Sequence, residues 1–307
     1  MDAVRWSLGV NDCFAVKRWP RPADWAPVVR DLGVAVVQHS LDLEDLDAPA
    51  GAVADAAAAV RAEAGVRGLT VHSTFTGLAA YSSNLLLHPD AAARDRAEAW
   101  FGRAIAFTAS AGGVATGGHV GAYSVPDARD PARRAELAAD LRARLARLAG
   151  RARDAGLAYL VVENLAAARE PATTADVRAL LDDGDASRVP VRLCLDVGHM
   201  CVPGTAGEER DPYAWARALG TVAPVVQLQQ SDATGDHHWP FTTAANAAGR
   251  IEADPLLDAL EASGATEVAL VLEVIPPFEQ DDDAVLADMR ASVAYWRDAL
   301  ARRGVAV

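Results

Sequence analysis

Three acidic residues close runs that are otherwise apolar. Glu163 follows Leu160-Val161-Val162, Asp196 follows Leu193-Cys194-Leu195, and Glu273 follows Val271-Leu272. A carboxylate at the end of a buried run is expensive unless it is paired or bound to a metal. Gln229 sits near the end of a fourth run, between those of Asp196 and Glu273. Histidines crowd the same places, with His39, His72, His119, His199, His237 and His238 each at or just beyond the end of an apolar run. Taken singly, each acid reads as a helix cap or salt-bridge partner, and each histidine as a hydrogen-bonded core residue. Polar ligand types on four consecutive runs are harder to explain that way, and they point to a metal centre.

The elements that must position them alternate eight times. Strands are predicted at 5–10, 34–40, 69–74, 114–120, 159–164, 191–197, 225–230 and 268–275. Helices are predicted at 23–32, 51–64, 90–111, 131–155, 173–182, 211–219, 253–263 and 280–303. Continuous apolar strands suit a parallel sheet covered on both faces. Gly33, Gly65, Gly112, Gly156, Gly220 and Gly264 follow helical runs, where a left-handed C-cap is wanted. Asp130-Pro131, Asp211-Pro212 and Asp254-Pro255 read as N-cap and first helical residue. Eight strand–helix units with no linker or composition break give an α/β chain folded as one (β/α)₈ TIM barrel, a single domain over 1–307. A doubly wound open sheet normally has fewer units and a glycine-rich first turn, where this chain has Asn11-Asp12-Cys13-Phe14. A barrel carries its chemistry on the loops at the C-terminal ends of its strands, so the polar residues converge there.

Composition narrows the partners. The chain has 307 residues, 29 basic against 42 acidic side chains, and a formal net charge of −13. That balance repels phosphate backbones and anionic lipid, arguing against nucleic acid and membrane surfaces. No uncharged apolar stretch is long enough to span a bilayer. Cys13, Cys194 and Cys201 are odd in number and lack CxxC spacing, which argues against disulfides and a thiolate zinc site. The start, Met1-Asp2-Ala3-Val4-Arg5-Trp6, lacks the basic and apolar regions of a signal peptide, so a cytoplasmic globular enzyme is expected.

Val161-Val162-Glu163-Asn164, Leu195-Asp196-Val197-Gly198-His199 and Val271-Leu272-Glu273 together resemble the signature of the xylose isomerase-like TIM barrel superfamily, which includes sugar-phosphate isomerases and ketose 3-epimerases. The resemblance spans all eight units. It implies one divalent metal, with Glu163, Asp196 and Glu273 matching three ligands. Many relatives carry histidine on strand seven where this chain reads Gln227-Leu228-Gln229; hydroxypyruvate isomerase-like members use glutamine there. Gln227 and Gln229 share a face, and Gln229, nearer the strand end, is taken as the fourth ligand. An all-oxygen set favours Mn²⁺ or Mg²⁺ over Zn²⁺.

The resemblance implies a sugar or sugar-phosphate isomerase or epimerase acting on a small ketose. Glu163 and Glu273 then exchange protons through an enediolate, and His199 hydrogen-bonds a substrate oxygen. The segments 11–20 and 235–242 resemble those of erythrulose-phosphate 3-epimerase-like proteins. Lys17, the only lysine, and His238 are then candidate phosphate contacts, and Trp239 a wall of the sugar pocket; an ordinary solvated loop explains Lys17-Arg18 equally well. His72 and His119 are either substrate contacts or core histidines. Some barrels of this kind are catalytic subunits of C-glycoside deglycosidases, which eliminate from 3-keto glycosides with a small accessory subunit. An apurinic endonuclease-like hydrolase needs a basic face that this chain lacks, and a non-catalytic sugar-binding subunit has no use for the two glutamates. Similar barrels are often homodimers.

Overall fold

The computed structural model describes residues 3–307; Met1 and Asp2, which open the predicted domain, lie outside the described residues. Eight strands close into a barrel: β1 (Arg5–Asn11), β2 (Val36–Ser40), β3 (Thr70–Phe75), β4 (Ala115–Gly118), β5 (Tyr159–Glu163), β6 (Val191–Asp196), β7 (Val225–Leu228) and β8 (Glu267–Leu272). Neighbours pair in parallel in chain order, and β8 returns to β1 with Arg5 opposite Glu267 and Val10 opposite Leu272. The helices are α1 (Pro22–Asp31), α2 (Ala50–Val66), α3 (Ala91–Ala111), α4 (Val125–Arg129), α5 (Pro131–Asp154), α6 (Thr174–Arg178), α7 (Pro212–Leu219), α8 (Thr243–Ala248), α9 (Ala253–Ser263) and α10 (Asp282–Arg302).

Strand parity decides what faces the axis, because successive side chains leave a strand on opposite sides. Phe75, Val161, Cys194, Val225, Ala269 and Val271 form an inner cluster of their own. Their sequence neighbours Leu193, Leu195, Val226, Leu270 and Leu272 join the layer packed under the helices, with Trp25, Trp215 and Trp296. Two residues beyond each inner plug the chain points inward again, at Glu163, Asp196, Gln227 and Glu273.

Most predicted caps are observed. Gly33, Gly112, Gly156 and Gly264 have φ of 81°, 89°, 84° and 85°, and the side chains of Asp130 and Asp211 cap α5 and α7. Three predicted caps are corrected. Gly65 lies inside α2, which runs on to Val66, and Gly68 (φ 65°) takes the left-handed position instead. Gly220 remains right-handed because a 3₁₀ turn continues from α7. Asp254 and Pro255 fall within the first turn of α9, whose N-cap is Glu252.

Candidate functional site

The three predicted acids meet at the C-terminal mouth. Glu163 and Asp196 are 0% exposed and Glu273 is 4% exposed, and their carboxylate oxygens lie within 4.8 Å of one another. Burial pushes the Glu163 carboxyl up to about 8, with Asp196 adding repulsion and His199 opposing it. Burial, then the charges of Glu163 and Asp196, drives Glu273 well above the carboxylate range. Two glutamates raised by burial and by neighbouring negative charge mark a dry pocket short of positive charge. Glu163 Oε1 is buried with no hydrogen-bond partner. An oxygen left free beside two more buried carboxylates fits a divalent cation, so these residues suit the metal that the sequence implies.

The two glutamates are anchored differently. Glu273 Oε1 accepts from Asn11 Nδ2 at 3.0 Å and Gln227 Nε2 at 2.9 Å. Gln38 Oε1 accepts from the same two amides, at 3.0 and 2.8 Å, which fixes their orientation. Among the described residues, Glu163 Oε2 accepts only from the hydroxyl of Tyr81, at 2.8 Å, on the 3₁₀ turn Leu78–Ser82 that follows β3. Gln227, the rejected ligand choice, thus sits lower in the barrel and orients Glu273.

The motif on β6 has a separate reason for each residue. Asn164 bridges the strand ends, its amide giving to Asp196 O and taking from Asp196 N, both at 2.9 Å. Gly198 donates its N–H to Asp196 Oδ1 at 2.7 Å, and a Cβ there would lie 2.3 Å from Gln229 Cδ. Only glycine leaves room for that amide. His199 Nδ1 donates to Asn164 O at 2.7 Å, turning Nε2 toward the pocket. Burial opposes a charge on His199, but Asp196 and Asp236 hold its pKa well above the ordinary value.

Gln229 reaches the site with its amide nitrogen foremost. Nε2 donates to both oxygens of Asp196 at 3.1 Å and to Asp236 Oδ1 at 2.8 Å, while Oε1 accepts from the His238 N–H at 2.6 Å. Its oxygen faces the carboxylates only if the amide turns over. Asp236, which the sequence analysis missed, enters from the loop after β7, 3.2 Å from His199 Nε2 and 3.2 Å from His238 Nε2. Burial opposes its ionisation, yet His199 and His238 hold its pKa well below the carboxylate range.

The remaining predicted residues divide. His119 is 0% exposed and stacks on Tyr81 at 4.6 Å; burial, opposed by the backbone of Ser83, lowers its pKa to about 4. His238 joins the site. Trp239 stacks on His237 at 4.0 Å in the same loop. Lys17 lies exposed on the β1 loop, its Nζ 3.9 Å from the Phe278 ring. Arg18 instead ties down the β8 loop by donating to the carbonyls of Pro277, Phe278 and Gln280.

Of the other two histidines, His72 departs from the predicted placement, and His39 keeps its place at the strand end but faces away from the axis. His72 lies at the register shift between β2 and β3, beside Tyr159 at 3.3 Å, the first residue of β5, so it sits toward the opposite end of the barrel from the carboxylates. Burial lowers its pKa. His39 is on the outer face of β2, between Trp25 and Phe107, with Nδ1 2.7 Å from Asp12 and Nε2 3.1 Å from Glu44.

A family model described as xylose isomerase-like TIM barrel matches residues 27–298. D-erythrulose 1-phosphate 3-epimerase of Brucella abortus is 34% identical over 213 residues, covering 68% of this chain and 69% of that protein. A Rhodospirillum rubrum structure provisionally described as a xylose isomerase is 38% identical, with a TM-score of 0.88 over 95% of this chain and 99% of that one. D-psicose 3-epimerase of Clostridium cellulolyticum shares the fold at 14% identity, with a TM-score of 0.69 over 96% of this chain and 99% of that one.

Proposed function

The chain belongs to the xylose isomerase-like TIM barrel family, and on that premise we propose that it is a divalent-metal-dependent epimerase or isomerase of a small ketose or ketose phosphate. The observation that carries this reading is the pair of glutamates, Glu163 at the end of β5 and Glu273 just past β8, buried in one carboxylate cluster and each held by neutral donors. Glu163, Asp196 and Glu273 would hold the cation, with Gln229 as fourth ligand once its amide turns over; the hard oxygen set suits Mn²⁺ or Mg²⁺. When bound, such a cation polarises a ketose carbonyl and acidifies the adjacent C–H.

The protein's own groups then do the proton work. One glutamate takes the proton from the carbon beside the carbonyl, giving an enediolate, and the other returns a proton from the opposite face. His199 steadies a substrate oxygen through Nε2, and His119 offers its ring to sugar hydroxyls. Among the described residues Lys17 forms no ion pair, which supports a contact with an anionic substrate end, as does the phosphate of the substrate named for the Brucella relative. His238 and Trp239, on the β7 loop, are further candidates for substrate contact. Cys13, Cys194 and Cys201 are buried and free, which supports a reducing, cytoplasmic setting. No helix among the described residues is long and apolar enough to cross a membrane.

The test is proton exchange. Purified protein with Mn²⁺ and a panel of ketoses and ketose phosphates in D₂O is expected to place deuterium at C3 for an epimerase, or at C1 or C2 for an isomerase. Glu163→Gln is expected to lower turnover by about 10²–10⁴-fold, the usual worth of a general acid–base group. No exchange into any sugar, or full turnover by the variant, refutes the scheme.

A further inference from the structure

We propose that Asp42, on the loop after β2, is a positioning residue for the proton transfer: it holds the 3₁₀ turn Leu78–Ser82 where Tyr81 can reach Glu163. This role rests on the reading of Glu163 as an acid–base group. Two hydrogen bonds carry it. The N–H of Leu78 donates to Asp42 Oδ2 at 2.6 Å, and the N–H of Ala79 donates to Asp42 Oδ1 at 2.9 Å. One carboxylate thus takes the first two amides of a turn that Gly77 precedes and that has no side-chain cap of its own. Three residues after Leu78, Tyr81 donates its hydroxyl to Glu163 Oε2 at 2.8 Å.

Gly77 is the matching half of this clasp. Its φ is 73°, in the left-handed region that favours glycine. A Cβ there would lie 2.5 Å from both Cγ and Oδ2 of Asp42. The same residue therefore serves the bend of the backbone and the close approach of the carboxylate.

Asp42 stands on a fixed base. It lies in the short turn Leu41–Leu43, and its own N–H donates to Ser40 Oγ at 3.3 Å. The N–H of Ser40 donates to Asp12 Oδ1 at 2.6 Å, and Asp12 Oδ2 pairs with His39 at 2.7 Å. Burial pushes the Asp42 carboxyl up, and the amides of Ala79 and Leu78 oppose that. Packing grips the turn less firmly. A cavity of about 230 Å³, bounded by Asp42, Thr76, Ala79, Ala80, Leu85 and Trp100, separates the two loops, and Leu78 lies exposed. Hydrogen bonds to Asp42 at the start of the turn and the stack of Tyr81 on His119 near its end set where the phenol points. A shift of about 1 Å caused by a residue remote from the chemistry can cost about 10²-fold in rate.

Asp42→Ala removes the clasp from one side, and Gly77→Ala displaces it from the other. In the ketose exchange assay, each is expected to lower kcat about 10–100-fold with KM nearly unchanged, as loss of the Tyr81 hydroxyl would. In the Asp42→Ala, Tyr81→Phe double variant, kcat should match that of Tyr81→Phe alone, because Asp42 acts only through that hydroxyl. A merely structural role predicts losses that multiply. Proton NMR of the His119 ring, which the stacked Tyr81 shifts upfield, gives a readout independent of turnover; Asp42→Ala should move it toward the unstacked position. Full kcat in Asp42→Ala, multiplying losses in the double variant, or unmoved His119 resonances overturns the proposal. Gly77→Ala decides it in the same way should Asp42→Ala fail to fold. The two readings fail separately: no exchange by the unmodified protein refutes the sugar chemistry, while the His119 shift still decides whether Asp42 places Tyr81.

Discussion

Replacing His39 by glutamine should remove a specific part of the protein's pH dependence. The imidazole is 0% exposed, clamped between Asp12 and Glu44, which hold its pKa at about 10 against the penalty of burial, from an ordinary 6.5. The folded state therefore binds this proton more tightly than the unfolded chain. The stability it contributes is fully present below the unfolded value and lost as pH rises through the folded one. With those two pKa values, linkage gives about 4 kcal/mol at about pH 7 and about 1 kcal/mol at about pH 9, a loss of roughly 2–3 kcal/mol. Removing the contribution consumes a large part of a typical ~5–15 kcal/mol stability, though not all of it. Urea unfolding of both proteins at the two pH values measures the difference. Groups that titrate alike in both cancel, so the gap between them should narrow by about 2–3 kcal/mol on going to alkaline pH. Parallel stability curves would falsify a charged His39 and the ion-pair account of the β1–β2 loops.

Two further substitutions probe the mouth. Gly198→Ala puts a Cβ 2.3 Å from Gln229 Cδ, so the amide must leave its place between Asp196 and Asp236; retained Mn²⁺ binding with unchanged turnover would show that its position is unimportant. Tyr81→Phe deletes the one hydroxyl that reaches Glu163. A hydrogen bond to a charged group is worth about 1.5–3 kcal/mol, so kcat/KM should fall about 10–100-fold with little change in melting temperature. A wild-type rate would remove Tyr81 from the site.

Parity made much of the fold and the acids legible. In a closed parallel barrel the apolar plugs and the residue two further on share a face, so an acid ending an apolar strand points up the axis. Glu163, Asp196 and Glu273 follow that rule because nothing disturbs the register of β5, β6 and β8. His39 and His72 stay out of the site for two different physical reasons. His39 is one residue out of phase with the inward Gln38, and the shift between β2 and β3 moves His72 off the regular alternation. Asp236 and Tyr81 were invisible because loop contacts far apart in sequence place them. The Gln230–Trp239 bridge aims Asp236, and the stack on His119 positions Tyr81. Asn11, Gln38 and Gln227 did leave a signal, as amides among apolar strand residues, but only their shared orientation reveals what they do.

That orientation separates two carboxylates that look equivalent in sequence. A buried carboxylate with one oxygen fixed by two amides from β1 and β7 has few ways to move. Its partner is held by a single phenol on a 3₁₀ turn, and its other oxygen is unpaired. Proton transfer to and from one carbon needs groups on both faces, yet the two tasks differ: one group must hold its place, and the other must follow the carbon as it flattens. On the proposed scheme, the amide cradle suits Glu273 to the first task and the single hydroxyl suits Glu163 to the second. The barrel supplies this inequality through its construction, since Gln38 and Gln227 lie within strands whereas Tyr81 hangs from a loop.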